Sequence, residues 1–183
     1  MSAVTVRRPA ALDDADLDGL ADVLVDCVAG GASVSFMAPL THGRARAFWA
    51  GVADAVARGE RELVVADDEL GVVGTVQLVL DLPENQPHRA DLVKLLVHRR
   101  ARRRGIGEAL LRAAEAAARE LGRTLLVLDT SSADAERLYA RVGWQRVGAI
   151  PDYALLPQGG LCHTVVYYRR LEPAEPPPAL STV

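Results

Sequence analysis

The chain has little cysteine, few aromatic residues and no long apolar run. Its two cysteines, Cys27 and Cys162, cannot build a disulfide framework, so we expect both to be free thiols. No apolar run approaches the roughly 18 residues of a membrane-spanning helix, and the segment 1–8 lacks the apolar core of a signal peptide. These absences predict a cytoplasmic protein that does not contact membranes.

An excess of basic charge is absent as well. The 183 residues carry a net charge of −3 and only 4% are aromatic, which disfavours a general nucleic-acid binder. Half of the residues are apolar and a quarter are charged, as in a single globular domain. We expect that domain to span residues 1–171. The proline-rich segment 172–183 is predicted to be a flexible tail.

The spacing of apolar residues predicts the order of helices and strands. Helices are expected after the cap residue Asp13 and over 43–58, 106–121 and 133–142. Strands are expected at 4–8, 63–66, 72–79, 90–97, 124–129, 145–149 and 163–170. The strand at 124–129 is almost wholly apolar, so both of its faces should be covered. This order predicts an α+β domain layered around a mixed sheet.

An arginine-rich turn with two glycines separates the strand at 90–97 from the helix at 106–121. Arginines occupy positions 99, 100, 102, 103 and 104, and glycines occupy positions 105 and 107. Amides at a helix start are unpaired and lie in the positive field of the helix dipole, and glycine lets a ligand approach the backbone. This combination predicts a site for a phosphate or pyrophosphate.

Three phosphate-binding patterns can be compared with this turn. The Walker pattern Gly-x-x-x-x-Gly-Lys-Ser/Thr is missing. The dinucleotide pattern Gly-x-Gly-x-x-Gly is incomplete because Leu110 takes its third glycine position, although Asp129 follows at about the 20 residues expected of a ribose-binding acid. The segment Arg102-Arg-Arg-Gly-Ile-Gly107, which follows Leu95-Leu-Val97, resembles the Arg/Gln-x-x-Gly-x-Gly/Ala loop of the GNAT N-acetyltransferases.

A second motif resembles the same family. Ala135-Glu-Arg-Leu-Tyr-Ala-Arg-Val-Gly-Trp144 is similar to the family pattern Ala-x-x-Leu-Tyr-x-x-x-Gly-Phe and lies at the right distance from the first motif. Segments 30–37, 128–130 and 160–168 also resemble the tabtoxin-resistance acetyltransferases, a subgroup of that family. The similarity extends over most of residues 12–171.

The resemblance implies a GNAT fold, which is a single layered α+β domain with a mixed, mostly antiparallel sheet and helices on both faces. The sheet would be splayed at a cofactor cleft between the strands at 92–97 and 124–129, which admits the pantetheine arm of acetyl-coenzyme A. Acetyl-CoA is implied as the co-substrate, and no metal is expected. The residues implied in cofactor binding are Leu95, Leu96, Val97, Arg102, Arg103, Arg104, Gly105, Ile106, Gly107 and Ser132.

The resemblance also implies two catalytic groups. Tyr139 matches the family tyrosine that protonates the departing thiolate, and its ordinary pKa of about 10 keeps it protonated near neutral pH. Asp129 ends the second splayed strand, where it could accept the proton of an incoming ammonium, directly or through water, or simply hold the amine. Its alternative role is to cap the following helix, through Ser131 or as an anion in the first turn.

Four residues depart from the family pattern, and one of them is Arg99, which replaces a common proline. Arg103 replaces a common glycine and should adopt an ordinary backbone conformation. Ser132 replaces a common asparagine and has less reach toward the cofactor arm. Trp144 replaces the usual phenylalanine, which should be a conservative apolar change.

The acceptor is less well determined by the sequence. Family architecture places the loop 30–39 over the acceptor pocket, and we expect Ser33, Phe36, Gln77 and His163 to bind substrate. The subgroup implies a small amino-acid-like metabolite or antibiotic whose primary amine attacks acetyl-CoA directly in a ternary complex. The alternatives are acetylation of a protein N-terminus or lysine, and a non-catalytic coenzyme A-binding module. Because related domains often dimerise, a homodimer is also considered.

Overall fold

A computed structural model describes residues 3–172, which form seven strands and four α-helices. The strands are β1 (Thr5–Arg7), β2 (Arg61–Asp68), β3 (Gly71–Val79), β4 (Arg89–Val97), β5 (Leu125–Thr130), β6 (Gln145–Leu155) and β7 (Leu161–Arg170). The helices are α1 (Asp14–Ala29), α2 (His42–Ala57), α3 (Ile106–Glu120) and α4 (Ala133–Arg141). A 3₁₀ turn, Arg99–Ala101, precedes α3. The predicted tail lies outside the described residues from position 173 onward.

All seven strands belong to one sheet, in the order β1-β2-β3-β4-β5-β7-β6. Every neighbouring pair is antiparallel except β4 and β5, which run parallel. Parallel neighbours need a long crossover, and the crossover here contains α3. The mixed, mostly antiparallel sheet of the sequence-based prediction is confirmed.

Helices cover both faces of the sheet, as predicted. On one face, α1 and α2 pack in a cluster that includes Leu24, Trp49 and Leu63, all at most 1% exposed. On the other face, α3 lies over the sheet, and its Leu110 belongs to a cluster with Leu126. Strands β2 and β3 read as nearly continuous apolar runs because both of their faces are buried. In β5 only Leu126 and Leu128 are buried, so the expectation that both faces of this strand are covered is wrong.

Strand β6 extends further than the predicted 145–149. It includes Pro151, which a central strand would not tolerate because proline lacks an amide donor. β6 is an edge strand that pairs only with β7, so no ladder hydrogen bond is lost to a second neighbour. The register shifts between Ile150 and Ala154, where Asp152 has a φ of 52°.

The indole of Trp144 does more than fill apolar space. Its Nε1 donates a 2.9 Å hydrogen bond to Glu115 of α3, and the Glu115 side chain is only 8% exposed. The guanidinium of Arg169 lies 3.2 Å from the same carboxylate. The expectation of a conservative apolar change at position 144 is therefore wrong, because phenylalanine cannot make this hydrogen bond.

Trp144→Phe is expected to lower the free energy of unfolding by about 1–3 kcal/mol beyond the packing loss, because a buried acceptor loses its donor. Urea denaturation measures the change. Trp49→Phe is the matched control, since Trp49 is fully buried and its Nε1 has no hydrogen-bond partner among residues 3–172. An equal cost for the two substitutions would contradict a stabilising role for the Trp144–Glu115 bond.

Candidate active site

A notch opens in the sheet where β4 and β5 separate. Their pairing covers only three residues of each strand, from Arg89–Leu125 to Asp91–Val127. Beyond that point each strand keeps only its outer neighbour, β3 for β4 and β7 for β5. The remaining backbone groups of the two inner edges are therefore available to something other than a strand.

The end of β4 directs alternate amides into this notch. The amide of His98 donates to the Val73 carbonyl on β3 at 2.9 Å. Since alternate residues of a strand face opposite edges, Leu96 shares that direction, whereas Leu95 and Val97 face the notch. Leu96 pairs with β3 and buries its side chain under α1 and α2, so the structure does not bring it into the notch.

The glycine turn at the mouth of the notch presents unpaired amides. The amides of Arg103, Gly105, Ile106 and Gly107 make no hydrogen bond within residues 3–172. Gly105 lies immediately before α3 with a φ of 78°, in the left-handed region. Turns of this kind direct successive amides toward a common point and form an anion-binding concavity.

Arg103 also lies in the left-handed region, with a φ of 63°. The expectation of an ordinary backbone conformation at this position is wrong. A side chain in this region costs about 1–2 kcal/mol, because Cβ approaches the following carbonyl oxygen. The turn therefore retains the geometry that a glycine would adopt and carries an exposed guanidinium in addition.

Three of the five arginines are bound by carboxylates. Arg99 donates to Asp26 through its amide at 2.7 Å and its Nε at 2.8 Å. Arg100 donates to Asp68 at 2.8 and 3.1 Å, and Arg104 donates to Asp68 at 3.1 Å. These guanidinium groups hold the turn in position, and the predicted cofactor contact of Arg104 stays a prediction.

Arg102 points toward the strand end instead. Its Nε donates to the Val97 carbonyl at 3.1 Å, and the rest of the side chain is exposed. The thiol of Cys27 lies 3.6 Å from the same oxygen, and burial raises the pKa of this thiol. Arg102 and Arg103 are thus the two arginines of the turn with exposed side chains that no carboxylate binds among residues 3–172.

Tyr139 of α4 lies beside the end of β5. The side chain is 4% exposed and packs between Trp144 and Tyr167, with ring centroids 5.7 and 5.6 Å away. Burial raises the pKa of its phenol, and the nearby Asp129 carboxylate raises it further. The hydroxyl makes no hydrogen bond to the described part of the chain, so it is a protonated donor without a protein acceptor.

Asp129 lies exposed near the end of β5 and does not cap the next helix. The cap of α4 is Ser132, whose hydroxyl accepts the Ala135 amide at 3.4 Å. One oxygen of Asp129 accepts a 2.6 Å hydrogen bond from Thr164 on β7, which fixes the carboxylate and leaves its other oxygen available. The predicted cofactor contact of Ser132 stays a prediction, with the capping bond as its observed role.

The loop between α1 and α2 meets the tip of the β6–β7 hairpin. Ser33 donates to the Leu155 carbonyl at 3.1 Å, and the Ala38 amide donates to the Pro157 carbonyl at 2.9 Å. Phe36 packs edge-on against Phe48 of α2, with ring centroids 5.2 Å apart. Ser33 and Phe36 therefore belong to one wall over the sheet face that carries α1 and α2.

The other two predicted substrate residues differ in their placement. Gln77 is fully buried on β3, opposite Leu63, and therefore faces the same side as α1 and α2. His163 is exposed and neighbours Thr164 on β7. Since successive strand residues point to opposite faces, His163 points away from the face on which Thr164 meets Asp129. The structure does not bring His163 to the other candidates.

Three polar residues of the site escape the sequence motifs, namely Lys94, Asp68 and Thr164. Lys94 is the one lysine of the chain and interrupts an otherwise apolar strand, which is the signal that could have identified it. It lies at a bulge of β4 with a φ of 54°. Asp68 and Thr164 carry no comparable signal, because their importance depends on partners distant in sequence.

Comparison with known families identifies the domain. Residues 59–146, which run from the start of β2 to the start of β6, match the model described as the acetyltransferase (GNAT) domain. Residues 59–146 are therefore assigned to a GNAT acetyltransferase domain. The matched segment includes the notch, the glycine turn and Tyr139. The tabtoxin-resistance subgroup stays a prediction.

Solved structures share the GNAT fold along nearly the whole chain. An N-acetyltransferase from Staphylococcus aureus Mu50 is 18% identical, with a TM-score of 0.77 over 93% of this chain and 100% of that one. YncA from Salmonella typhimurium, assigned as an acetyltransferase and solved with its cofactor acetyl-CoA, is 18% identical, with a TM-score of 0.75 over 97% and 99%. The ribosomal-protein-alanine N-acetyltransferase of Brucella melitensis is 22% identical, with a TM-score of 0.76 over 91% and 99%.

Within residues 3–172, no helix has the length and apolar character needed to cross a membrane. The same residues contain no cluster of three or more His, Cys, Asp or Glu side chains placed to hold a metal ion. The cytoplasmic location and the homodimer stay predictions.

Asp68 is expected to stabilise the turn in a pH-dependent way. A hydrogen bond from Arg100, with smaller contributions from the Leu70 amide and from Arg104, lowers the pKa of Asp68 to about 2, below the ordinary value of about 3.9. A carboxyl with a depressed folded-state pKa contributes stability above its unfolded-state pKa and loses it as pH falls toward the folded value. The stability advantage of the protein over Asp68→Asn should therefore shrink between about pH 4 and pH 2.

Urea unfolding of both proteins at a series of pH values measures this difference. Asp54→Asn is the control, because Asp54 is exposed on α2 and its carboxylate makes no ion pair within residues 3–172. A pH-independent difference between the protein and Asp68→Asn would refute the role of the Asp68 charge.

Proposed function

We propose that this chain is an N-acetyltransferase that moves an acetyl group from acetyl-CoA to the primary amine of a small amino-acid-like molecule. The observation that supports this proposal most directly is the notch between β4 and β5, with the unpaired amides of the glycine turn at its mouth and Tyr139 beside β5. The GNAT family match supports this use of the notch.

The residues around the notch suit the chemistry of coenzyme A. Amide donors at Arg103, Gly105, Ile106 and Gly107, with the guanidinium of Arg102 nearby, match the acceptor oxygens of a pyrophosphate. The inward-facing backbone of Leu95 and the amide of Val97 match the amides of a pantetheine arm, which would take the place of a strand neighbour. The Val97 carbonyl already accepts a hydrogen bond from Arg102. Bound acetyl-CoA supplies an acetyl group activated as a thioester.

The reaction needs two proton transfers, one from the acceptor amine and one to the departing sulfur, and a different residue beside the notch carries out each of them. Asp129, fixed by Thr164, binds the acceptor amine and receives its proton, directly or through water. Tyr139 donates its phenolic proton to the departing sulfur. Its raised pKa keeps the phenol protonated across the physiological range, which a proton donor requires.

The contact between loop and hairpin favours a small acceptor. The hydrogen bonds of Ser33 to Leu155 and of Ala38 to Pro157 join the α1–α2 loop to the β6–β7 turn. An extended peptide would need an open groove between these two segments. Acetylation of a protein N-terminus or lysine, and coenzyme A binding without turnover, remain the alternatives that the acceptor assay tests.

The assay presents amine metabolites and amine-bearing antibiotics with acetyl-CoA and detects released thiol. Release that depends on a small amine supports the proposal. Release with peptides alone would favour the protein-acetyltransferase alternative. Binding of acetyl-CoA without release by any amine or peptide would favour the non-catalytic module.

Gly107→Glu is expected to weaken acetyl-CoA binding at least tenfold, because a carboxylate at the turn repels the pyrophosphate. A Cβ at this position also approaches Leu138 to 3.2 Å, so circular dichroism must show that the fold is retained. Titration calorimetry measures the affinity. Gly43→Glu in α2 is the matched control, since a Cβ there meets nothing within 4 Å. Unchanged affinity in folded Gly107→Glu would exclude the turn as the pyrophosphate site.

Tyr139→Phe is expected to lower kcat by about 10²-fold, because the sulfur loses its proton donor. Acetyl-CoA affinity and unfolding free energy should change little, since the hydroxyl makes no protein hydrogen bond among residues 3–172. Tyr167→Phe is the control in the same aromatic cluster, where the hydroxyl donates to Glu136 at 2.9 Å. Full turnover of Tyr139→Phe, when chemistry limits the rate, would remove this role.

A further inference from the structure

Three polar side chains share the sheet face beneath α1 and α2, and the proposed proton transfers use none of them. They are Arg61 on β2, Gln77 on β3 and Lys94 on β4. Gln77 lies opposite Leu63, whose side chain packs against α1 and α2. The three therefore lie on neighbouring strands, on the same side of the notch as the loop that carries Ser35.

Gln77 is a buried amide that is only half satisfied. Its Oε1 accepts a 2.6 Å hydrogen bond from Arg61. Its Nε2 is buried and has no acceptor among residues 3–172. A buried donor without a partner is unfavourable, so an acceptor supplied by a ligand or by an ordered water would stabilise it.

Lys94 and Arg61 are cations without a carboxylate partner. The Lys94 ammonium donates to the Ser35 hydroxyl at 3.2 Å and lies 6.0 Å from the ring centroid of Phe48. Neither Lys94 nor Arg61 makes an ion pair within 4 Å among the described residues. Burial lowers the pKa of Lys94 and the positive charge of Arg61 lowers it further, while the Asp129 carboxylate raises it by a smaller amount.

Space for a ligand lies next to Arg61. An open depression of about 460 Å³ between α2 and β2 is bordered by Arg61 and Phe48, and also by Arg58 and Glu60. Its α2 wall consists of small or apolar side chains, including Ala47, Val52 and Ala55. Of the three polar side chains, Arg61 borders this space directly, whereas Lys94 and Gln77 do not line it.

We propose that Lys94 and Arg61, with the Nε2 of Gln77, bind the carboxylate of the acceptor, which is therefore an amino acid. This inference rests on the proposed acetyl transfer and names its substrate class. Asp129 holds the amine on β5 while the two cations hold the carboxylate on β4 and β2. An amine without an acid group meets uncompensated positive charge at this position and binds poorly.

The test compares acceptors that differ only in the carboxylate. The twenty L-amino acids, β-alanine and γ-aminobutyrate are assayed for thiol release beside their carboxamides. For an accepted amino acid, kcat/KM should exceed that of its carboxamide at least tenfold. Lys94→Met should raise KM for the amino acid at least tenfold and leave the carboxamide unchanged, and Lys94→Arg should restore much of the loss.

Equal turnover of acid and carboxamide, or equal loss of both in Lys94→Met, would overturn the assignment. Turnover confined to amines outside the amino-acid set, or no turnover of any amino acid despite acetyl-CoA binding, would also overturn it. Failure to bind acetyl-CoA would instead contradict the proposed function. Calorimetry should show the same acetyl-CoA affinity for Lys94→Met and the unmodified protein.

A second readout uses the fact that Lys94 is the one lysine of the chain. Acetic anhydride should modify its side chain, and peptide mass spectrometry can follow that modification separately from the α-amino group. The accepted amino acid should protect Lys94, whereas its carboxamide should not. Equal protection by both compounds would place the carboxylate elsewhere.

Discussion

The short parallel pairing of β4 and β5 is the constraint on which the rest of the site depends. The two strands share three residue pairs and then separate, so their inner edges have unsatisfied backbone groups in the middle of a buried sheet. A ligand can satisfy those groups without unfolding any element. The same separation places the ends of both strands, the turn before α3 and Tyr139 around one opening.

Hydrogen-bonded ion pairs hold the elements around this opening in place. Asp26 binds Arg99, and Asp68 binds Arg100 and Arg104, so the turn before α3 is tied to α1 and to the β2–β3 hairpin. The arginine cluster, which suggests an anion site in the sequence, therefore has two structural roles. Arg99, Arg100 and Arg104 hold the backbone of the turn in position. The exposed side chains of Arg102 and Arg103 place positive charge beside the proposed ligand site.

The fold could be predicted from the sequence to a large extent, because apolar periodicity and two local motifs report on neighbouring residues. The extent of β6 could not, since Pro151 is acceptable only on an edge strand and strand order is a property of the whole sheet. At the site, Gly105, Gly107 and Tyr139 are found by motif. Asp68 is missed because its partner Arg100 is remote in sequence. Lys94 stands out in the sequence as the one lysine of the chain, but its contact with Ser35 depends on the fold.

The sequence by itself determined the α+β element order, the glycine turn before α3 and the position of the tyrosine, since each is encoded within one short segment. The tertiary structure alone decided which amides of β4 face the notch, that Ser132 rather than Asp129 caps α4, and that His163 points away. It also brought Arg61, Gln77 and Lys94 together from three strands. These features depend on strand register and sheet order, which arise only when distant segments pack against each other.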